Sequence, residues 1–149
     1  MPIAASNSAR FLGARERANL SEQEAADRMG ISLASIGDLE AHDDELCSLY
    51  SPADVQKFSE VLGIRFTELL GVEEVGPAIL PEDLAGLIRD HCHHHNRSIE
   101  EFEQITGWHV AKSLSVPRRF LQDYTIDGIQ DICRELQVDW QRVVLGLLS

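Results

Sequence analysis

The sequence predicts an all-α fold made of two tandem five-helix repeats, and three observations carry that expectation. The first is a block that occurs twice: Asn19–Ile31 returns in outline as Asn96–Trp108. In each copy a Ser is followed by Glu three residues on and by Gly six residues further. Ser21 with Glu24, and Ser98 with Glu101, have the spacing of a capping box, in which each side chain satisfies the other's free backbone N–H at a helix start. Gly30 and Gly107 stand where those short helices must stop, a place that favours a left-handed residue. The second observation is a later matched pair of blocks. Apolar residues fall at 55, 58, 62, 66, 69 and 70 in one and at 129, 132, 136, 140, 143 and 144 in the other, a helical period with a break before the last turn. The third is negative: no stretch has the alternation and β-branched density of a strand.

Element by element, the first repeat reads as helices near 8–18, 22–29, 33–40, 52–62 and 66–70. The second reads as helices near 81–95, 99–106, 109–115, 126–136 and 139–147. Repeat 1 is expected over 1–75 and repeat 2 over 82–149. Two Gly and two Pro in the stretch from Gly71 to Pro81 mark a linker, placed at 76–81, with Pro81 tolerated in the first turn of the next helix.

Composition narrows the function classes. The 149 residues are 44% hydrophobic and 26% charged, as in a folded chain rather than a disordered one. No apolar run is long enough to cross a bilayer, and Met1–Ser8 has neither the basic cluster nor the apolar core of a secretory leader. Three cysteines without a CxxC pair suit a reducing compartment, so a cytoplasmic protein is expected. The net charge is −12, from 13 Lys and Arg against 25 Asp and Glu. Such a chain repels polyanions at long range and attracts basic partners. The first 76 residues hold six cations and 14 acids, the remainder seven and 11.

The run Leu20-Ser21-Glu22-Gln23-Glu24-Ala25-Ala26-Asp27-Arg28-Met29-Gly30-Ile31-Ser32-Leu33-Ala34-Ser35-Ile36-Gly37-Asp38-Leu39-Glu40 resembles the core of the Cro and lambda-repressor-like (XRE) helix-turn-helix domain. Leu62–Leu70 resembles that family's closing segment, and repeat 2 is a more diverged copy. The resemblance implies a first motif helix lying across a DNA backbone and a second entering the major groove. It places Ser32 to Gly37 of repeat 1, and His109 to Leu114 of repeat 2, against base edges.

Charge divides the two copies. The segment Ser32–Glu40 has no Lys or Arg, and Asp43, Asp44 and Glu45 follow at once; Glu22 stands where the family commonly has glutamine on the DNA. These acids would repel phosphates within a Debye length. They either coat a solvated face or, with Asp38 and Glu40, form the anchor for a basic protein partner. In repeat 2, His109–Arg119 carries three fixed cations and no acid. There His109, Lys112 and Ser113 are the candidates for base edges, and Arg118 and Arg119 for phosphates.

Other residues invite weaker readings. His91 and His95, four apart on one helix face with Cys92 beside them, are weak metal candidates, but their stripe continues Leu84, Leu87 and Ile88 and so reads first as a packed seam; His93 and His94 point outward. Trp108, Trp140, Phe66 and Phe102 read as core. Cys47 has no cation nearby in sequence to activate it. No phosphate loop, nucleophile motif or paired carboxylates emerge, so neither an enzyme nor a cofactor is expected. Two readings follow: a DNA-binding transcriptional regulator, such as an antitoxin, binding duplex DNA as a monomer or a homodimer; or an acidic module, such as an immunity protein or antitoxin, neutralising a basic toxin.

Overall fold

A computed structural model of the chain describes residues 6–148. Met1–Ala5, on which the reading of the N-terminus partly rests, and Ser149 lie outside them. The described residues form eleven α-helices, one 3-10 turn and no strand. In order they are α1 Asn7–Arg17, α2 Glu22–Met29, α3 Leu33–Ala41, α4 Glu45–Leu49, α5 Pro52–Leu62 and α6 Phe66–Leu70. After a connecting segment come α7 Pro81–His94, α8 Ile99–Thr106, α9 Ala111–Ser115, the 3-10 turn Pro117–Leu121, α10 Ile126–Leu136 and α11 Trp140–Leu148. No helix among the described residues is long and apolar enough to cross a membrane.

Local chemistry sets these boundaries. Both expected capping boxes form: Ser21 accepts from the Glu24 N–H, Ser98 from the Glu101 N–H, and each Glu side chain returns to its cap's backbone N–H. Gly30 and Gly107 are left-handed, at φ 74° and 80°, and close α2 and α8. Asn19 and Asn96, in the turns before α2 and α8, are also left-handed, at φ 57° and 52°. Asparagine tolerates that region better than most residues with a Cβ.

Two elements depart from the expected five-helix units. The first half carries the additional short helix α4, and the second carries a 3-10 turn at the corresponding place. Each has only five residues, opens without a side-chain cap and lies outside the matched blocks that revealed the equally short α6. The helix expected over 109–115 begins only at Ala111. Element order runs in parallel through the two halves.

The halves share a core. Their buried apolar residues form one contiguous cluster that includes Phe11, Ile36 and Phe58 from the first half and Ile88, Phe102 and Ile129 from the second. Helix α4 packs on α10, α5 packs on α11, and the Ile126 N–H donates to the Tyr50 carbonyl at 3.0 Å. The segment read as a linker is strapped to α11. The Ile79 N–H donates to the Arg142 carbonyl at 2.9 Å, Arg142 Nε donates to the Pro77 carbonyl at 2.8 Å, and the Glu73 N–H donates to Gln141 Oε1 at 2.8 Å. Ile79 is buried beneath these bonds. Of the aromatics expected in the core, Phe102 is fully buried, whereas Trp108, Trp140 and Phe66 are half-buried and pack against its edge.

Three thiols lie within this packing. Cys92 and Cys133 are buried and Cys47 is half-buried. Burial, and then the charge of Asp127, push the Cys47 thiol up to about 11, although Asn7 and Arg10 pull the other way. Arg10 is thus a cation near Cys47 after all, brought there by the fold, and burial outweighs it. Cys133 is pushed up to about 12 by burial and Asp139. Since the folded values exceed the unfolded ones, the neutral thiols' contribution to stability is complete below the unfolded value and lost as pH rises through about 11 and about 12. At pH 8 the folded protein should therefore react slowly with an aromatic disulfide reagent, and the urea-unfolded chain should react at all its thiols within the mixing time. Fast release from the native protein would contradict this packing.

Candidate interaction surface

The residues expected to contact DNA in the second half are not all presented to solvent. Lys112 and Arg118 are exposed and form no ion pair among the described residues. Arg119 is partly engaged, with Nε 3.6 Å from Asp123. The His109 side chain is 99% exposed, with Nδ1 3.8 Å from Glu103. Ser113 corrects the expectation. It is 1% exposed, and its hydroxyl lies 2.7 Å from that of Tyr124, which itself donates to the His109 carbonyl at 2.6 Å. Ser113 therefore fixes the start of α9 from inside and is not available to a base edge. Its place corresponds to Ile36 of the first half, which is wholly buried.

One residue that the sequence reading passed over defines this region. Glu103, on α8, accepts from the Val110 N–H at 2.6 Å and the Ala111 N–H at 3.2 Å through a single oxygen, Oε2. Its side chain is only 16% exposed. In a helix-turn-helix that reads DNA, the start of the second motif helix faces the nucleic acid. Here free N–H groups of α9, which would suit an anion, already hold a carboxylate. The residue that the matched blocks set opposite Glu103 in the first half is Ala26, which is buried. Glu103, Trp108, His109, Lys112, Asp123 and Tyr124 line an open cavity of about 640 Å³ between α8, α9 and the segment before α10.

In the first half the acidic segment also divides. Glu40, expected as part of a partner anchor, is spent inside the fold. Arg15 Nη2 lies 2.7 Å from Glu40 Oε1, Arg15 Nε donates to both carboxylate oxygens at 3.1 Å, and Arg15 Nη1 donates to the Leu20 carbonyl at 2.9 Å. Asp43 is exposed but accepts from Ser8, through the hydroxyl and the N–H, and these bonds hold its carboxyl below the usual range. Asp38 and Asp44 are exposed and Glu45 half-buried, and none of the three forms an ion pair among the described residues.

The packing of α4 on α10 extends that acidic surface into the second half. Asp127 has its carboxyl pushed up, first by burial and then by the charges of Asp131 and Asp44. Asp131 in turn accepts from Trp108 Nε1 at 3.1 Å and pairs with Arg134 at 2.9 Å. A run of acids therefore leads from α4 across α10 to the tryptophan at the Glu103 cavity. Crowding of like charges costs stability. Because the folded pKa of Asp127 is raised, stability falls as pH rises from its unfolded value through the folded one. Asp127→Asn should raise Tm at pH 7 and leave it unchanged near pH 3, where the carboxyl is protonated in both states. A lower Tm at pH 7 would show that Asp127 acts instead as a favourable first-turn charge of α10.

The histidine cluster is less a metal centre than a helix end. His91 is half-buried, with Nε2 3.5 Å from Glu135, to which Arg97 binds at 2.7 Å. His95 caps α7, its ring centroid 4.4 Å from that of His91; desolvation, and then the neighbouring His91, disfavour its charged form. His93 and His94 are exposed. Among the described residues no three His, Cys, Asp or Glu come together in a way that could hold a metal ion.

No protein-family model, no curated protein and no solved structure matches this chain.

Proposed function

We propose that this chain is a binding protein without catalytic activity, built on two diverged helix-turn-helix units, and that its acidic surface takes a basic protein partner, in the manner of an antitoxin or immunity protein covering a basic toxin. The observation that carries this reading is the seating of Glu103 on the start of α9, with Ser113 turned into the core. Where a DNA-reading unit offers N–H groups and polar side chains to the duplex, this unit offers a carboxylate. The first half agrees, since α3 has no cation and Asp38 and Asp44 lie open. A net charge of −12 speeds encounter with a basic surface and opposes approach to phosphate.

A second reading, a DNA-binding regulator, is favoured by Lys112 and Arg118, which are exposed and free of acidic partners among the described residues. One pair of measurements separates the two. Fluorescence anisotropy of a random-sequence duplex at low salt should show no binding, because too few cations are free to release counterions. Capture of a partner from the source cells should succeed with the wild type and with Lys112→Ala/Arg118→Ala, and fail with Asp38→Lys/Asp44→Lys/Glu45→Lys. Salt-sensitive duplex binding that disappears in the Lys112/Arg118 variant would overturn the protein-partner reading.

A further inference from the structure

We infer that the cavity between α8 and α9 is a pocket for an arginine side chain of the partner; the inference rests on the protein-partner reading and names the group that this site would hold. The floor is anionic. Glu103 spends Oε2 on two backbone N–H groups, while among the described residues no hydrogen-bond donor reaches Oε1, and His109 Nδ1 lies 3.8 Å from it. Oε1 is thus left open to the cavity, where a charge-assisted donor can bind it, and a guanidinium's planar fork suits a carboxylate better than an ammonium.

The walls are aromatic. Trp108 and Tyr124 lie with ring centroids 5.9 Å apart at an interplanar angle of 53°, and both line the cavity. Trp108 is held in place by its bond to Asp131, and Tyr124 by its bonds to Ser113 and His109. Tyr124 is 3% exposed and stacked on Phe120, so it backs the wall, and half-buried Trp108 is the aromatic surface left for a cation. Neither ring has to be ordered on binding, so the contact costs little conformational entropy. Asp123 adds a second carboxylate at the mouth, partly engaged by Arg119. Lys112 is the one Lys or Arg among the described lining residues; it is exposed on a flexible stem and competes with an incoming cation. The run of acids through Asp44, Asp127 and Asp131 ends at Trp108, so a basic partner lying along it reaches this pocket.

The test uses the full chain with N-acetyl-argininamide as probe and the neutral isostere N-acetyl-citrullinamide as control, followed by amide chemical shifts at millimolar probe. The arginine probe should shift the signals of Trp108, His109 and Ala111. The citrulline probe should bind about tenfold more weakly, since it lacks the charge. Lys112→Ala should tighten arginine binding, because it removes the competing cation. Glu103→Gln keeps a carbonyl oxygen for the Val110 and Ala111 N–H groups and should abolish the preference for arginine over citrulline. If that variant does not fold, the sign of the Lys112→Ala effect decides. Equal binding of the two probes, no shifts at all, or weaker binding in Lys112→Ala would each overturn the arginine pocket. Capture that still depends on Asp38, Asp44 and Glu45 would show in that event that the pocket assignment alone has failed. Loss of capture as well would remove the partner reading beneath it.

Discussion

Gly146→Ala should destabilise the protein by about 3 kcal/mol, the upper part of the range for forcing extra volume into a packed site. Gly146 lies on α11, where alanine would normally be the better residue by about 1 kcal/mol. A Cβ there, however, would meet the Ile79 carbonyl oxygen at 1.8 Å, the Ile79 carbonyl carbon at 2.3 Å and the Leu80 nitrogen at 2.9 Å. All three are backbone atoms, so no side chain can swing aside. Relief requires lifting the segment 77–80 off α11, which breaks the bonds that Arg142 makes to Pro77 and Ile79 and exposes Ile79. Gly86→Ala is the matching control. Gly86 is in the interior of α7 with nothing within 4 Å of an added Cβ, so alanine there should stabilise by up to about 1 kcal/mol. Urea unfolding of the two variants should move in opposite directions. A Gly146→Ala protein as stable as the wild type would mean that the strap does not sit against α11.

Arg15→Met should cost about 3 kcal/mol, because it strands Glu40 with 10% of its side chain exposed and no counter-charge. The guanidinium also holds the Leu20 carbonyl, which would lose its donor. The double variant Arg15→Met/Glu40→Leu should recover most of that loss, since an apolar pair of similar volume leaves nothing charged to desolvate. A double-mutant cycle with no coupling between positions 15 and 40 would contradict the buried pairing.

Local signals made the helices legible. The capping boxes at Ser21 and Ser98 and the left-handed Gly30 and Gly107 involve neighbours within one turn, so spacing alone reveals them. Helix α4 and the 3-10 turn were hidden because they lie outside the matched apolar blocks and open without a side-chain cap. The site was less legible for a different reason. Ser113 looked like a DNA-facing residue through the family resemblance, yet the register expected from the matched sequence blocks sets it opposite Ile36, which is buried. The same alignment sets Glu103 opposite Ala26, and a carboxylate at a core position was the sign that something nearby must satisfy it. The Arg15–Glu40 pair spans 25 residues, and the approach of Asp44 to Asp127 joins the two halves. Contacts of that reach arise only once α4 lies on α10.

The bond from the Ile126 N–H to the Tyr50 carbonyl, with α4 on α10 and α5 on α11, removes any hinge between the halves. Two binding modules on a flexible tether search for their second contact, and the tether sets how concentrated one module is in the other's view. Here that search is absent. Under the protein-partner proposal, a partner whose two patches match the fixed spacing would engage both faces in one event and gain the avidity of both. A partner matching only one face would gain nothing from the other. Selectivity among basic proteins would then come from geometry, which bulk charge cannot provide.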